Sequence, residues 1–201
     1  MTIGGYLGTI KGYLAPTGDI NKFGDLKESQ MRRVRLSVAM SLDGFIAGPN
    51  GESDWIVMDP DIDFNSLMSS FDTVLLGRKT YEATRGHGGG GMPGMQTFVF
   101  SRSLRQDDCP EVTVSNNPRQ VLSAIKATSG KDIWLFGGGE LFRSLLNLDL
   151  VDSIEIAIIP VLLGGGLQLL PHPSDRTKLR LSNHRIHPKT GTVSLEYIPT
   201  K

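Results

Sequence analysis

From position 34 onward, apolar and polar residues fall into short blocks whose period switches between that of a strand and that of a helix. Compact apolar runs predict strands over residues 34–40, 73–76, 97–100 and 133–136, with a short one over 112–114. Helical spacing predicts helices over 62–71, 78–83, about 118–127 and 140–146. The first would place Phe64, Leu67, Met68 and Phe71 on one face, and the last Leu141, Phe142, Leu145 and Leu146. The tail breaks this alternation, with strands over 153–159, 179–186 and 192–198 and no helix between the last two. That order predicts an α/β fold: a mostly parallel central sheet, helices on both faces and a C-terminal antiparallel hairpin.

Residues 1–30 do not share the pattern. They are glycine-rich, and Gly5-Tyr6-Leu7 recurs as Gly12-Tyr13-Leu14. They are expected to form an N-terminal extension without a catalytic role, or to pack their Tyr-Leu pairs on a neighbouring surface, leaving one domain over 31–201.

Composition narrows the function classes. The 201 residues carry 21 basic and 21 acidic side chains, a formal net charge of zero, which disfavours nucleic acid and anionic membrane as partners. The longest apolar stretch, 156–163, is broken by Pro160 and is far shorter than a membrane span. Cys109 is the single cysteine, and the four histidines lack metal-ligand spacing, so neither a disulfide nor a metal site is expected and a reducing cytoplasm fits best.

The candidate chemistry sits where strands end. The segment 133–136 runs into Gly137, Gly138 and Gly139 and then a helix opening with Glu140, Leu141 and Phe142. Such a junction offers free N–H groups and a positive dipole end to a phosphate, though a tight turn packing small residues reads equally well. A second strand ends at Gly77 and opens a helix with Arg78, Lys79, Thr80 and Tyr81. Cations in a first turn suit a bound anion, or simply extend into water. A third strand ends in Ser101 and Arg102, a plausible cradle for the extra phosphate that separates NADP from NAD.

Three apparent motifs lack their context. Gly89-x-Gly91-x-x-Gly94 precedes a strand instead of following one, and reads as a loop. The run from Asp59 to Asp63 begins like a calcium loop but has Phe64 where glycine is needed and Ser70 where glutamate is needed. His184 and His187, three apart in a strand, point to opposite faces and are read as surface or core residues.

Together these segments resemble the dihydrofolate reductase superfamily, and especially the branch of the reductase domain of bacterial riboflavin biosynthesis. The resemblance runs from Val34 to about Tyr197 and rests on Val38-Ala39-Met40-Ser41-Leu42-Asp43-Gly44-Phe45-Ile46-Ala47, on Gly77-Arg78-Lys79-Thr80-Tyr81, on the triglycine, and on Ile159-Pro160-Val161-Leu162-Leu163-Gly164. It implies a three-layer dihydrofolate reductase-like fold and an NADPH-dependent reductase acting on a flat nitrogen heterocycle, a pterin or a ribosylaminopyrimidine. By resemblance, Ala39 and Ile46 would line the nicotinamide site, and Gly77, Arg78, Lys79 and Thr80 the phosphates. Ser101 and Arg102 would hold the 2′-phosphate, and Gly137, Gly138, Gly139, Glu140, Leu141 and Phe142 the pyrophosphate and nicotinamide side.

The resemblance also implies a proton donor in an apolar pocket. Asp61 occupies the matching place, where burial would raise its pKa; alternatively it caps a helix in a solvated turn. Asp43 is a second candidate, with turn formation as its other reading. Trp55 resembles an active-site tryptophan, and Phe64 and Tyr81 could stack on the heterocycle, although Phe64 also fits a core position. A homodimer is implied as well. The glycine-rich stretch 86–94 and Gly164, Gly165 and Gly166 depart from the folate reductases. No deaminase-like His/Cys set accompanies the domain, which leaves a stand-alone reductase, or a non-catalytic module that kept the NADPH cleft.

Overall fold

Side-chain alternation along the central strands decides the layering. The computed structural model describes residues 31–85 and 91–200. The N-terminal extension and most of the glycine-rich stretch after Arg85 lie outside the described residues. On the strand Asp132–Gly137, Ile133 and Leu135 enter one hydrophobic core while Trp134 enters another. Leu75 and Leu76 divide in the same way on Phe71–Gly77, as do Phe98 and Val99 on Gln96–Phe100. A sheet apolar on both faces must be covered on both.

In chain order the elements are β1 Val34–Ser41, β2 Phe45–Ala47, α1 Phe64–Ser69, β3 Phe71–Gly77, α2 Arg78–Arg85, β4 Gln96–Phe100, β5 Thr113–Ser115, α3 Pro118–Lys126, β6 Asp132–Gly137, α4 Gly139–Leu146, β7 Ser153–Ile159, β8 Leu167–Gln168, β9 Lys178–His187 and β10 Thr192–Thr200. Eight strands form one sheet in the order β5-β4-β3-β6-β1-β7-β10-β9. The pairs from β5 to β7 are parallel, and β10 is antiparallel to both β7 and β9. Leu122 and Ile125 of α3 and Leu141, Phe142, Leu145 and Leu146 of α4 close one core, and Tyr81 of α2 with Leu67 and Met68 of α1 cover the other. The expected α/β architecture is therefore present.

Three elements differ from expectation. The helix predicted over 62–71 shrinks to Phe64–Ser69 and buries no residue, because Phe71 instead opens β3 and stacks on Trp134 with ring centroids 5.7 Å apart. The two-stranded β2–β8 sheet and the 3-10 turn Gln106–Asp108 have no counterpart in the sequence pattern. Their strands and turn are two or three residues long, too short to show a period.

Because six successive strands of the sheet are parallel, their carboxyl ends share one edge. Loops gather there: Leu42 N–H donates to Val161 at 2.9 Å, and Leu169 N–H donates to Gly44 at 3.1 Å.

Candidate active site

A cavity of about 1240 Å³ lies against the face of the sheet formed by β1, β7 and β10. Its floor is set by register. Ala39 of β1 pairs with Ala157 of β7, and Ala157 pairs with Ser194 of β10, so small side chains lie level across three strands. Ile46 and Ala47 of β2, Phe64, Leu67 and Met68 of α1, and Ile56 and Ile62 of the preceding loop form apolar walls. Lys79 and Thr80 of α2 and Gly138 close one side, and Arg35, Glu155 and Glu196 make the opposite end polar.

The residues expected on the phosphate side are brought together by β3 and β6, which pair at Leu76 and Gly137. Helices α2 and α4 therefore start side by side at the same sheet edge. Gly138 is the N-cap of α4 and makes no side-chain cap hydrogen bond, whereas α1 and α3 are capped by Asp63 and Asn117. First-turn N–H groups of α4 thus lack a side-chain partner. Gly137 has φ +126, a conformation reserved for glycine, and the Gly137–Gly138 peptide is cis. A Cβ on Gly139 would lie 2.6 Å from the Gln168 carbonyl oxygen, so glycine there is imposed by close backbone approach. On the far side of β4, Ser101 and Arg102 border a separate cleft of about 310 Å³ with Gln106, Ser115 and Asn116. Ser101 Oγ accepts from the N–H groups of Ser103 and Leu104 at 3.1 and 3.0 Å, and Arg102 is exposed. Uncapped N–H donors beside Lys79 and Thr80, and a guanidinium at the separate cleft, are groups that favour anions.

Several other residues take different positions. Arg78 is half-buried and pairs with Glu82 one turn along α2 at 2.9 Å. Glu140 pairs with Arg143 at 2.5 Å, while Leu141 and Phe142 are buried beneath α4. Gly77 abuts Leu141 and the Gly137–Gly138 backbone. Tyr81 corrects the stacking expectation: it is 1% exposed, its hydroxyl donates to Glu111 at 2.6 Å, and burial, then Cys109 and Glu111, push its phenol pKa up. Phe64 corrects the core expectation, since it is 42% exposed and lies on the cavity wall. Trp55 Nε1 donates to the Glu52 carbonyl at 3.1 Å, and the residue does not line the cavity.

The two carboxylates expected as proton donors are both elsewhere. Asp61 is exposed and accepts from Lys189 Nζ at 2.8 Å, and the helix cap is Asp63, which accepts from Ser66 N–H at 2.9 Å. Asp43 ties loops together: it accepts from the Ser41 hydroxyl at 2.6 Å, from Leu163 N–H at 3.1 Å and from Gly164 N–H at 2.7 Å. The Ser41 hydroxyl and those two N–H groups hold its carboxyl below the usual range despite some desolvation, opposite to what a proton donor needs.

Among the described residues the buried carboxylate is Asp59, two residues before Asp61 and 2% exposed. Burial pushes its pKa up, but the Asp61 N–H, the Thr190 hydroxyl and the charges of His187 and Lys189 pull it further down, to a net value below the ordinary one. His187 is likewise buried, and Ser194, beside it, reaches the cavity. The alternation of Thr192, Ser194 and Glu196 with Val193, Leu195 and Tyr197 was the available signal, since it marks a strand face with polar business. Among the described residues no group of three or more His, Cys, Asp or Glu side chains is placed to hold a metal, and no helix is long and apolar enough to cross a membrane.

This sheet order, with a cavity along one face and two helices opening at the carboxyl edge, defines the dihydrofolate reductase-like fold. Dihydrofolate reductase from Enterococcus faecalis, in complex with NADP(H), superposes with a TM-score of 0.58 at 17% identity, covering 84% of this chain and 97% of that one. The deaminase/5-amino-6-(5-phosphoribosylamino)uracil reductase of Thermotoga maritima superposes with a TM-score of 0.64 at 18% identity, covering 89% of this chain and 59% of that longer one. The chain belongs to the RibD C-terminal domain family, whose match spans residues 32–190. Among curated proteins it is 34% identical over 184 residues to the uncharacterized protein YyaP of Bacillus subtilis, across 84% of this chain and 95% of that protein.

Proposed function

We propose that this protein is an NADPH-dependent reductase acting on a flat nitrogen heterocycle of the ribosylaminopyrimidine or pterin type. The observation that carries the reading is the Ala39–Ala157 floor beneath an apolar cavity whose one side is closed by the starts of α2 and α4. Small residues level across paired strands let a planar ring lie flat on the sheet, while helix N-termini at the carboxyl edge of parallel strands favour a pyrophosphate. Membership of the RibD C-terminal domain family supports the same class.

Residues Lys79, Thr80, Gly138 and Gly139 would hold the pyrophosphate, Ser101 and Arg102 the 2′-phosphate, and Ala39 and Ile46 would border the nicotinamide. When bound, NADPH would supply the hydride. Phe64, Leu67 and Met68 would exclude water from the heterocycle, and the polar end at Arg35, Glu155 and Glu196 would orient its hydrogen-bonding edge. The homodimer implied by the resemblance belongs to the same proposal; a monomeric mass in solution at micromolar concentration overturns it.

The experiment is NADPH oxidation at 340 nm with dihydrofolate and with the phosphoribosylaminopyrimidine in parallel, alongside NADPH binding followed by fluorescence. Turnover of either substrate fixes the reductase class. Tight NADPH binding without turnover of either favours the non-catalytic binding module, and failure to bind overturns the cofactor assignment.

A further inference from the structure

The loop before α1 and the β9–β10 hairpin bury a polar chain that the reductase reading does not use. Asp59 and His187 are 2% and 3% exposed. His187 Nε2 lies 3.0 Å from Ser194 Oγ, and Ser194 stands on the cavity wall. The other ring nitrogen, Nδ1, is buried without a hydrogen-bond partner, and Asp59 Oδ1 faces it at 3.7 Å. Asp59 is itself fixed by the Asp61 N–H at 2.9 Å and the Thr190 hydroxyl at 2.8 Å. A buried ring nitrogen without a partner is costly unless it has a task.

We propose that Asp59, His187 and Ser194 form a proton relay that ends at the Ser194 hydroxyl and protonates the substrate in the cavity. The inference rests on the reductase reading. Reduction of a C=N bond needs a proton at nitrogen as well as a hydride at carbon, and neither Asp61 nor Asp43 lines the cavity. Ser194 does. It sits two strands from Ala39, about 10 Å at ordinary strand spacing, with Ala157 between them, so one ring fits between the nicotinamide side and the hydroxyl.

Bound NADPH would supply hydride to the carbon; at the nitrogen the C=N π electrons would take the proton of the Ser194 hydroxyl, the N–H bond forming as the O–H bond breaks. The Ser194 oxygen takes the Nε2 proton of an imidazolium, leaving His187 neutral with its hydrogen on Nδ1, facing Asp59. After product leaves, a proton from solvent returns to Nε2 by way of Ser194, so that each turnover consumes one proton from solution. Asp59 is the charged group on the ring, with the Lys189–Asp61 pair beyond it, and Thr192 lies opposite in register. Ser194 is the catalytic residue here, and His187 and Asp59 position and supply its proton.

Replacing Ser194 with Ala is expected to lower kcat at least about tenfold while leaving KM and NADPH binding within about twofold, the pattern of an interaction made only in the transition state. Ser194→Thr, which keeps a hydroxyl at the same place, should restore turnover. A readout independent of turnover is the ¹⁵N spectrum of His187: the neutral ring should carry its hydrogen on Nδ1, and Asp59→Asn should move it toward Nε2. A neutral ring with hydrogen on Nε2 in the wild type overturns the relay, as does Ser194→Ala with wild-type kcat. Failure of the wild type to oxidise NADPH with either substrate overturns the reductase reading itself, and the relay with it.

Discussion

Arg35 and Glu155 meet across β1 and β7 as a fork, with Nε 2.6 Å from Oε1 and Nη2 2.8 Å from Oε2. The pair solves a problem set by register, because Glu155 is the direct partner of Glu196 on β10, and like charges opposed across strands are unfavourable. The same guanidinium reaches Asp132 at 3.2 Å and lies over the Phe71 ring at 4.7 Å. Burial works against its charge, but Glu155 and Asp132 outweigh burial, so it holds its proton more firmly than usual. With 13% and 19% of the two side chains exposed, Arg35→Leu should cost about 2–4 kcal/mol in urea unfolding, and the double variant Arg35→Leu/Glu155→Leu should regain most of it. Equal stability of Arg35→Leu and wild type would show the fork to be inert.

Asp132 gives this cluster a pH signature. Burial pushes its carboxyl up, but the Arg33 N–H, the Arg33 guanidinium and Arg35 lower it below the ordinary value. A lowered folded-state pKa contributes stability that is present above the unfolded value, about 4, and lost as pH falls through the folded value. The wild type and Asp132→Asn should therefore differ in urea midpoint at pH 7 and converge in acid. A difference that persists unchanged at pH 2 contradicts this linkage.

Much of the scaffold was legible because the central strands obey a two-residue alternation into two cores, and both glycine-ended strands run directly into helices as expected. What could not be read was which neighbour each polar residue finds. The segment 59–63 offers three aspartates in five positions, and only tertiary packing makes Asp59 the buried one, Asp61 the partner of Lys189 and Asp63 the helix cap. Phe71 followed a helical spacing yet joined a strand, because its ring is held by Trp134 and Arg35, residues far away in sequence. The reading of His187 as a surface or core histidine holds for the core, but its partners were out of reach for the same reason: they depend on Asp59 and on the register of β9 against β10.

Gly139 is held by crowding. A Cβ there would meet the carbonyl oxygens of Gln168 and Leu169 at 2.6 and 2.8 Å and Pro171 Cδ at 2.8 Å, none of which is the end of a flexible side chain. Gly139→Ala should cost about 1–3 kcal/mol of stability and push the 168–171 segment away from the start of α4. NADPH affinity should fall with it, while Gly165→Ala, which has open space around it, should leave affinity unchanged. Fluorescence titration of the two variants is the check.

Arg102 should distinguish the two nicotinamide cofactors. It is exposed at the rim of the cleft beyond β4, where Ser101 and Ser115 add hydroxyls. A charge-assisted hydrogen bond to a phosphate contributes about 1.5–3 kcal/mol, so Arg102→Ala should weaken NADPH roughly 10- to 100-fold and NADH by less than about twofold. Equal losses for both would remove the 2′-phosphate from this cleft.

Asp61 supplies the sharpest contrast with the relay. Its carboxylate is exposed and paired with Lys189 at 2.8 Å, and no part of it lines the cavity. An exposed ion pair contributes about 0–1 kcal/mol, so Asp61→Asn should barely move the urea midpoint, and kcat should stay within about twofold of wild type across the pH range. Asp59→Asn makes the same exchange of a carboxylate oxygen for an amide NH2 two residues away, yet it should lower kcat because the imidazolium loses the carboxylate that faces Nδ1. If Asp61→Asn instead abolishes turnover while NADPH binding survives, the proton enters from the 59–63 turn by way of Asp61, and the hydroxyl of Ser194 has no part in it.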